Sequence, residues 1–159
     1  MKPGLPLLLL LLVLPFGALA VDMPLESVDG SNTNLNRFQG QWVVVNYWAT
    51  WCPPCIAEMP ELQSFHDDHK DDDAVVIGIN AELIDKERLL AFLDDYFITY
   101  PVFLSKPGQS SELGQVPGLP TTFLVTPQGE VVARQVGPVT REMIEQFIEN
   151  WKQESQAAN

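Results

Sequence analysis

Two cysteines separated by two prolines are the residues of this sequence best suited to chemistry. They lie in the run Trp51-Cys52-Pro53-Pro54-Cys55 and are the only cysteines among the 159 residues. A disulfide between them would close a very small ring, which removes little conformational entropy from the unfolded chain and so stabilises the fold only weakly. The pair is therefore better suited to reversible thiol–disulfide exchange than to holding the fold together.

Thiol–disulfide exchange requires a thiolate, and the elements around the pair can supply one. The β-branched and aromatic run from Trp42 to Trp48 is typical of a buried central strand, and the apolar positions after the cysteines follow a helical spacing. At this junction Cys52 would face free N–H groups and the positive end of the helix dipole, which lower a thiol pKa from about 8.5. Pro53 and Pro54 suit the opening turn of a helix. Cys55, one turn along, is expected to attack the mixed disulfide formed at Cys52.

Outside the site, strands and helices alternate along the chain. We expect residues 105–120 to form a loop around a short helix. The order of elements predicts a single α/β domain with a mixed central sheet and helices on both faces. The other patterns predict a turn at Asp29-Gly30, a strand at 74–80, a helix over 84–97 with Leu89, Leu90, Phe92 and Leu93 inside, a short strand at 100–104, a hairpin over 121–136, and a last helix capped by Thr140 and carrying Met143.

The first twenty residues have the pattern of a signal peptide. Lys2 precedes an apolar stretch from Leu5 to Leu14, and Ala18-Leu19-Ala20 has the form of a signal peptidase site. An uncleaved N-terminal membrane anchor is the alternative. We therefore assign residues 1–20 to export and residues 21–159 to the folded domain, in the periplasm or an equivalent extracytoplasmic compartment. The net charge of −12 disfavours binding to nucleic acid.

Three separated features give the chain a resemblance to the thioredoxin superfamily, and more narrowly to the exported TlpA/ResA-like thiol–disulfide oxidoreductases. These features are the run from Trp48 to Cys55, Pro60 five residues beyond it, and the run Gly118-Leu119-Pro120-Thr121-Thr122-Phe123. The resemblance implies a thioredoxin-like fold over nearly all of residues 23–152. It also implies that Cys52 is the attacking cysteine and Cys55 the resolving cysteine.

The same resemblance indicates where a client protein would bind. In the family the proline of the last motif is cis and packs beside the disulfide, so Pro120 is expected to be cis. The backbone at Leu119 and Pro120 would bind an extended client segment by strand-like hydrogen bonds. Trp51 is expected to shield the disulfide and contribute to this binding surface, whereas Trp48 is expected to belong to the core.

The proton acceptor is predicted at a position that differs from thioredoxin. Six residues before its first cysteine thioredoxin has a buried Asp, whereas this chain has Asn46, which cannot accept a proton. ResA-like proteins also have Asn there and place a Glu three residues after the second cysteine, the position of Glu58. The resemblance implies that Glu58 accepts the proton of Cys55, especially if burial raises its pKa.

The resemblance implies an enzyme that reduces disulfides of client proteins, as in cytochrome c maturation or metal-site assembly, with no cofactor beyond its Cys52–Cys55 disulfide. Such an enzyme would take electrons from a membrane thiol donor, because its compartment is oxidising. We also expect the chain to be a monomer. The alternatives are a disulfide oxidase or isomerase, and a metal-handling or client-binding module that uses the same thiols. His66 and His69 have a spacing that could hold a metal, but a solvated helix end is the preferred interpretation and we expect no metal site.

Overall fold

The computed structural model describes residues 20–105 and 111–157, which form seven strands, three α-helices and one 3-10 helix. The strands form one mixed sheet. In chain order the elements are β1 (Pro24–Ser27), β2 (Asn32–Asn34), the 3-10 helix (Leu35–Phe38), β3 (Trp42–Trp48), α1 (Pro53–His69), β4 (Ala74–Asn80), α2 (Lys86–Asp95), β5 (Val102–Leu104), β6 (Thr121–Val125), β7 (Val131–Val136) and α3 (Arg141–Ala157).

The sheet has the strand order β2-β1-β5-β4-β3-β6-β7. Strands β3, β4 and β5 run parallel, and the other neighbours are antiparallel. All seven residues of β3 and of β4 are buried, because these strands are central and covered on both faces. Their side chains alternate between two cores: α1, α2 and α3 cover the first, and the 3-10 helix packs on the second. The predicted mixed sheet with helices on both faces is confirmed.

The carboxyl ends of the parallel strands meet at one edge of the sheet. Trp48, the last residue of β3, lies opposite Asn80, the last residue of β4. Strand β6 is antiparallel to β3 and begins at this same edge. Cys52, which follows β3, and Pro120, which precedes β6, are therefore brought to the same end of the sheet.

The helix α2 and the strand β5 differ in part from the sequence predictions. The helix predicted over 84–97 is α2, in which Leu89 is buried and Leu90 is 45% exposed. The prediction for Leu90 is wrong because Leu89, Phe92 and Leu93 already define the inner face, and each residue of a helix is rotated by about 100° from the one before it. The strand predicted at 100–104 starts only at Val102.

The predicted turns and caps agree more closely with the structure. The turn at Asp29-Gly30 joins β1 to β2, and β6 and β7 form the predicted hairpin. Thr140 caps α3, because its Oγ1 accepts a hydrogen bond of 3.2 Å from the N–H of Met143. Between 111 and 120 the chain forms turns and a bridge from Ser111 to Gly114 instead of a helix; residues 106–110 lie outside the described part.

The predicted signal peptide or anchor falls on residues 1–20, of which only Ala20 belongs to the described residues. Within residues 20–105 and 111–157, no helix combines the length and the apolar character needed to cross a membrane.

Candidate active site

The two cysteines form a disulfide at the start of α1. Cys52 is the N-cap of the helix and Cys55 lies in its first turn, with 5.3 Å between their Cα atoms. Pro53 and Pro54 are the first two helical residues. Because proline has no N–H group, Cys55 supplies the first backbone N–H of the helix. The sulfur of Cys52 thus faces fewer free N–H groups than an ordinary helix start would offer.

Exposure differs sharply between the cysteines and the tryptophan before them. Cys52 is 3% exposed and Cys55 is fully buried, whereas Trp51 is 66% exposed. Trp48 belongs to the core, where it stacks on Phe92 with 5.5 Å between ring centroids. Trp51 is therefore the aromatic residue of this region that a partner protein can contact.

The motif before β6 has the geometry that the resemblance implies. The peptide bond between Leu119 and Pro120 is cis. The carbonyl of Pro120 accepts a hydrogen bond of 2.9 Å from the N–H of Gly137, just beyond β7. Leu119 is partly buried and packs against both cores. The segment is thus held at the edge of the sheet that carries the disulfide.

Glu58 is a buried carboxyl group at the centre of a hydrogen-bond network. It lies one turn after Cys55 and is only 2% exposed. Its Oε1 accepts a hydrogen bond of 2.7 Å from Nδ2 of Asn46, and its Oε2 accepts one of 2.8 Å from the N–H of Val139. Asn46 also donates to Oγ1 of Thr122 at 3.0 Å. The network connects α1 to β3, to β6 and to the segment before α3.

The surroundings of Glu58 raise its pKa to a value close to neutral pH. Burial raises the pKa from 4.5 to about 7, and the hydrogen bonds from Val139 and Asn46 only partly oppose this effect. Cys55 is three residues away on the same helix, a rise of about 4.5 Å along the axis. Glu58 thus combines burial, proximity to the cysteines and a pKa close to 7, which are properties of an effective proton acceptor.

Glu82 is a residue of this region that the sequence does not single out. It follows β4, and its Oε1 accepts hydrogen bonds from the N–H of Thr50 at 2.8 Å and from Nδ2 of Asn80 at 2.9 Å. Its Oε2 accepts a third from Oγ1 of Thr50 at 3.2 Å. Glu82 therefore fixes the turn that leads into Cys52. The signal available in the sequence was its position two residues after a buried strand, where the carboxyl ends of parallel strands meet.

Thr122 and Val139 also belong to the network and have no signal of their own in the sequence. Thr122 is 76 residues from Asn46, and Val139 is 81 residues from Glu58. In addition, Val139 contributes through its backbone N–H, which every residue except proline carries. Only the fold brings these groups together.

The two histidines have different environments, and the prediction of a solvated helix end is wrong for His66. His66 is buried because it lies two turns beyond Glu58 on the same face of α1; its Nδ1 accepts a hydrogen bond of 3.3 Å from the N–H of Val76. Burial lowers its pKa. His69 is partly exposed, and its Nδ1 lies 3.0 Å from a carboxylate oxygen of Asp73. Among the described residues, no three or more His, Cys, Asp and Glu side chains converge as a metal site would require.

Comparison with known proteins identifies the family to which the chain belongs. The sequence model of the AhpC/TSA family matches residues 16–134, three quarters of the chain. The chain belongs to the AhpC/TSA family. The matched region contains both cysteines, Glu58 and the cis-proline motif, so the family assignment covers the reactive part of the molecule.

The relatives and solved structures that match the chain include thiol–disulfide enzymes. The thiol-disulfide oxidoreductase ResA of Halalkalibacterium halodurans is 32% identical over 139 residues, which cover 87% of this chain and 78% of that protein. The crystal structure of a DsbF homologue from Corynebacterium diphtheriae matches with a TM-score of 0.73 and 29% identity, covering 82% of this chain and 85% of that one. A secreted thiol-disulfide isomerase from Corynebacterium glutamicum matches with a TM-score of 0.71 and 29% identity, covering 77% and 78%. The chain is a thiol–disulfide oxidoreductase with a thioredoxin-like fold, and Cys52–Cys55 is its disulfide.

Proposed function

We propose that the chain is an exported reductase of client-protein disulfides, of the type that serves cytochrome c maturation or metal-site assembly. Residues 1–20 direct its export, and the domain works as a monomer outside the cytoplasm. That compartment is oxidising, so the enzyme takes its electrons from a membrane thiol donor. The secreted relative from Corynebacterium glutamicum supports an extracytoplasmic location.

The reduction proceeds by two exchanges between sulfurs. The thiolate of Cys52 attacks one sulfur of the client disulfide, forms a mixed disulfide and releases the other client sulfur as a thiolate. Cys55 then loses its proton to Glu58 and attacks the sulfur of Cys52, which forms the Cys52–Cys55 disulfide and releases the second client thiolate. Two electrons pass to the client, whose thiolates take up two protons, one from Glu58 and one from solvent, which received the proton of Cys52. The dithiol of the membrane donor returns two electrons.

The observation that carries this proposal is the buried carboxyl group of Glu58, one turn from Cys55. A carboxyl group with a pKa of about 7 is about half ionised at neutral pH, so it can both accept the proton of Cys55 and release it. A purely structural disulfide would have no use for such a group. Asn46, which takes the position of the thioredoxin Asp, orients Glu58 by a hydrogen bond of 2.7 Å.

The environment of Cys52 favours reduction over oxidation as the net direction. A strongly oxidising member of the superfamily stabilises its reduced form, and its potential is about −120 mV against about −270 mV for thioredoxin. Here Pro53 and Pro54 add neither a charge nor an N–H group that could stabilise the thiolate of Cys52. We expect a potential closer to that of thioredoxin.

Client binding is assigned to the surface beside the disulfide. Trp51 is exposed there and offers a large apolar contact. Leu119 and Pro120 lie at the same edge of the sheet, where the backbone groups of Leu119, beside the cis bond, can pair with an extended client segment. These contacts would position a client disulfide for attack by Cys52.

Replacement of Cys55 by serine tests the mechanism. Cys55→Ser leaves the attack by Cys52 possible but prevents resolution, so mixed disulfides with client proteins should accumulate and be released by dithiothreitol. The matched control is Cys52→Ser, which should form few such adducts. If Cys52→Ser traps clients and Cys55→Ser does not, the roles of the two cysteines are the reverse of those proposed.

An isomerase is the second candidate, because the secreted relative from Corynebacterium glutamicum is named as one. The measured reduction potential separates the two functions. A value near −270 mV supports the reductase, whereas a value in the range of about −180 to −120 mV, where isomerases and oxidants lie, contradicts it.

A further inference from the structure

A groove lies between β7 and α3 on the side of the sheet that α1, α2 and α3 cover. It has a volume of about 260 Å³. Arg134 is the only charged residue among those that line it within the described part of the chain. The apolar side chains that line it are those of Leu124, Ala133, Val139, Met143, Ile144 and Phe147.

The groove adjoins the active site, because two of its lining residues also belong to the hydrogen-bond network of Glu58. Val139 lines the groove, and its N–H is the donor to Glu58. Thr122 lines the groove as well, and its Oγ1 accepts the hydrogen bond from Asn46. Thr122 is two residues beyond Pro120, a distance of at most about 7 Å along the backbone. In a client segment bound at Pro120, the side chain of a neighbouring client residue could therefore reach the end of this groove.

We propose that the groove between β7 and α3 is a subsite that binds one apolar side chain of the client polypeptide. This inference rests on the proposed function, because it requires a client polypeptide at Pro120. The occupant is a leucine, methionine or phenylalanine close to the reacting cysteine of the client. The groove thereby selects among clients by their sequence and not by their disulfide alone.

The size and chemistry of the groove determine this occupant. An apolar protein cavity of about 150 Å³ can hold benzene, so 260 Å³ accommodates a phenylalanine ring or a branched aliphatic side chain. Small-molecule sites are larger, at roughly 300–1,000 Å³, and they have several convergent polar groups. A charged side chain would lose its hydration against the carbon atoms of Ala133, Met143 and Phe147 without gaining a partner of opposite charge, unless it approached Arg134.

Two substitutions change the groove by different means. Met143 is 45% exposed and forms part of the wall, so Met143→Gln makes that wall polar while keeping its length and should fold normally. Ala133→Leu fills the groove from β7. The matched control is Leu90→Gln, because Leu90 is also 45% exposed on a helix but lies on α2, away from the groove.

The test measures the preference of each protein for leucine over serine in short disulfide-containing peptides. One leucine is moved through the positions flanking the reacting cysteine, and kcat/KM is compared with that of the all-serine peptide. We expect one position at which leucine raises kcat/KM by about tenfold in the wild type, mainly through KM, as burial of one aliphatic side chain allows. Met143→Gln and Ala133→Leu should reduce this ratio towards one, and Leu90→Gln should keep it.

The outcomes separate the subsite from the function on which it rests. The subsite is overturned if no position prefers leucine in the wild type, or if the preference survives in both Met143→Gln and Ala133→Leu. If the wild type reduces neither the peptides nor hydroxyethyl disulfide, the proposed function fails, and the subsite fails with it. Because each ratio is taken within one protein, a general loss of activity in a variant does not imitate loss of the subsite.

Discussion

Replacement of Glu58 by glutamine should change how the stability of the oxidised protein depends on pH. The folded protein holds the proton of Glu58 with a pKa of about 7, against 4.5 for the free side chain. Between these values the folded state binds more protons than the unfolded state, so the contribution of Glu58 to stability falls as pH rises. From pH 5 to pH 8 this loss is about 2 to 3 kcal/mol. Glu58→Gln cannot titrate and should lack it.

The assay is urea denaturation of the oxidised wild type and of Glu58→Gln at pH values from 5 to 8. The difference between the two free energies of unfolding removes the contributions of groups that both proteins share, such as His66. This difference should shift by about 2 to 3 kcal/mol in favour of the variant as pH rises. Glu61→Gln is the control, because Glu61 lies on the same helix and also accepts a backbone N–H, that of Arg141, but is exposed. If Glu58→Gln and the wild type show parallel pH dependences, the buried carboxyl does not titrate near 7 and its proposed role as proton acceptor is refuted.

Two further substitutions test the packing around the site. Asn46→Asp would place a second carboxyl group at the 2.7 Å hydrogen-bond distance from Glu58. We expect this to destabilise the protein by about 3 kcal/mol or more at pH 8, and by much less at pH 5, where the pair can retain protons. Equal losses of stability at both pH values in urea denaturation would contradict this prediction. Gly78→Ala would bring a Cβ within 2.8 Å of Nε1 of the buried Trp48, so we expect its free energy of unfolding, measured by thermal unfolding, to fall by about 1 to 3 kcal/mol. In Gly118→Ala the new Cβ meets nothing within 4 Å, so the free energy of unfolding should fall by less than about 0.5 kcal/mol. Equal effects of the two glycine substitutions would show that the close approach at Gly78 is readily relieved.

The central strands and the cysteine helix could be predicted from the sequence because local patterns determine them. The runs at 42–48 and 74–80 are long, β-branched and apolar, and they form strands with those same bounds. Cys52 lies at the N-cap because prolines at the next two positions favour the start of a helix. In contrast, the prediction that Leu90 lies on the inner side of α2 is wrong, since its three apolar neighbours make the boundary of the helix face hard to locate from the sequence.

The candidate site could be predicted only as far as its residues belong to motifs. Cys52, Cys55 and Pro120 are parts of contiguous motifs, and Glu58 is indicated by the resemblance to ResA-like proteins, which place a Glu three residues after the second cysteine. The hydrogen bond from Val139 to Glu58 has no such signal, because it depends on where the last helix begins in three dimensions. The burial of His66 is similar: a charged segment around it suggests solvent, but the register of α1 turns it towards β4.

The hydrogen bond from Val139 also has a consequence for biosynthesis. Ribosomes make the chain from its N-terminus, so the thiols at 52 and 55 emerge long before the amide at 139, which lies 81 residues beyond the carboxyl group it binds. During that interval the carboxyl group is hydrated and ordinary, and the thiols are exposed to any oxidant present. The nascent protein therefore has its reactive sulfurs before Glu58 has its buried environment, which is complete only when the segment before the final helix docks.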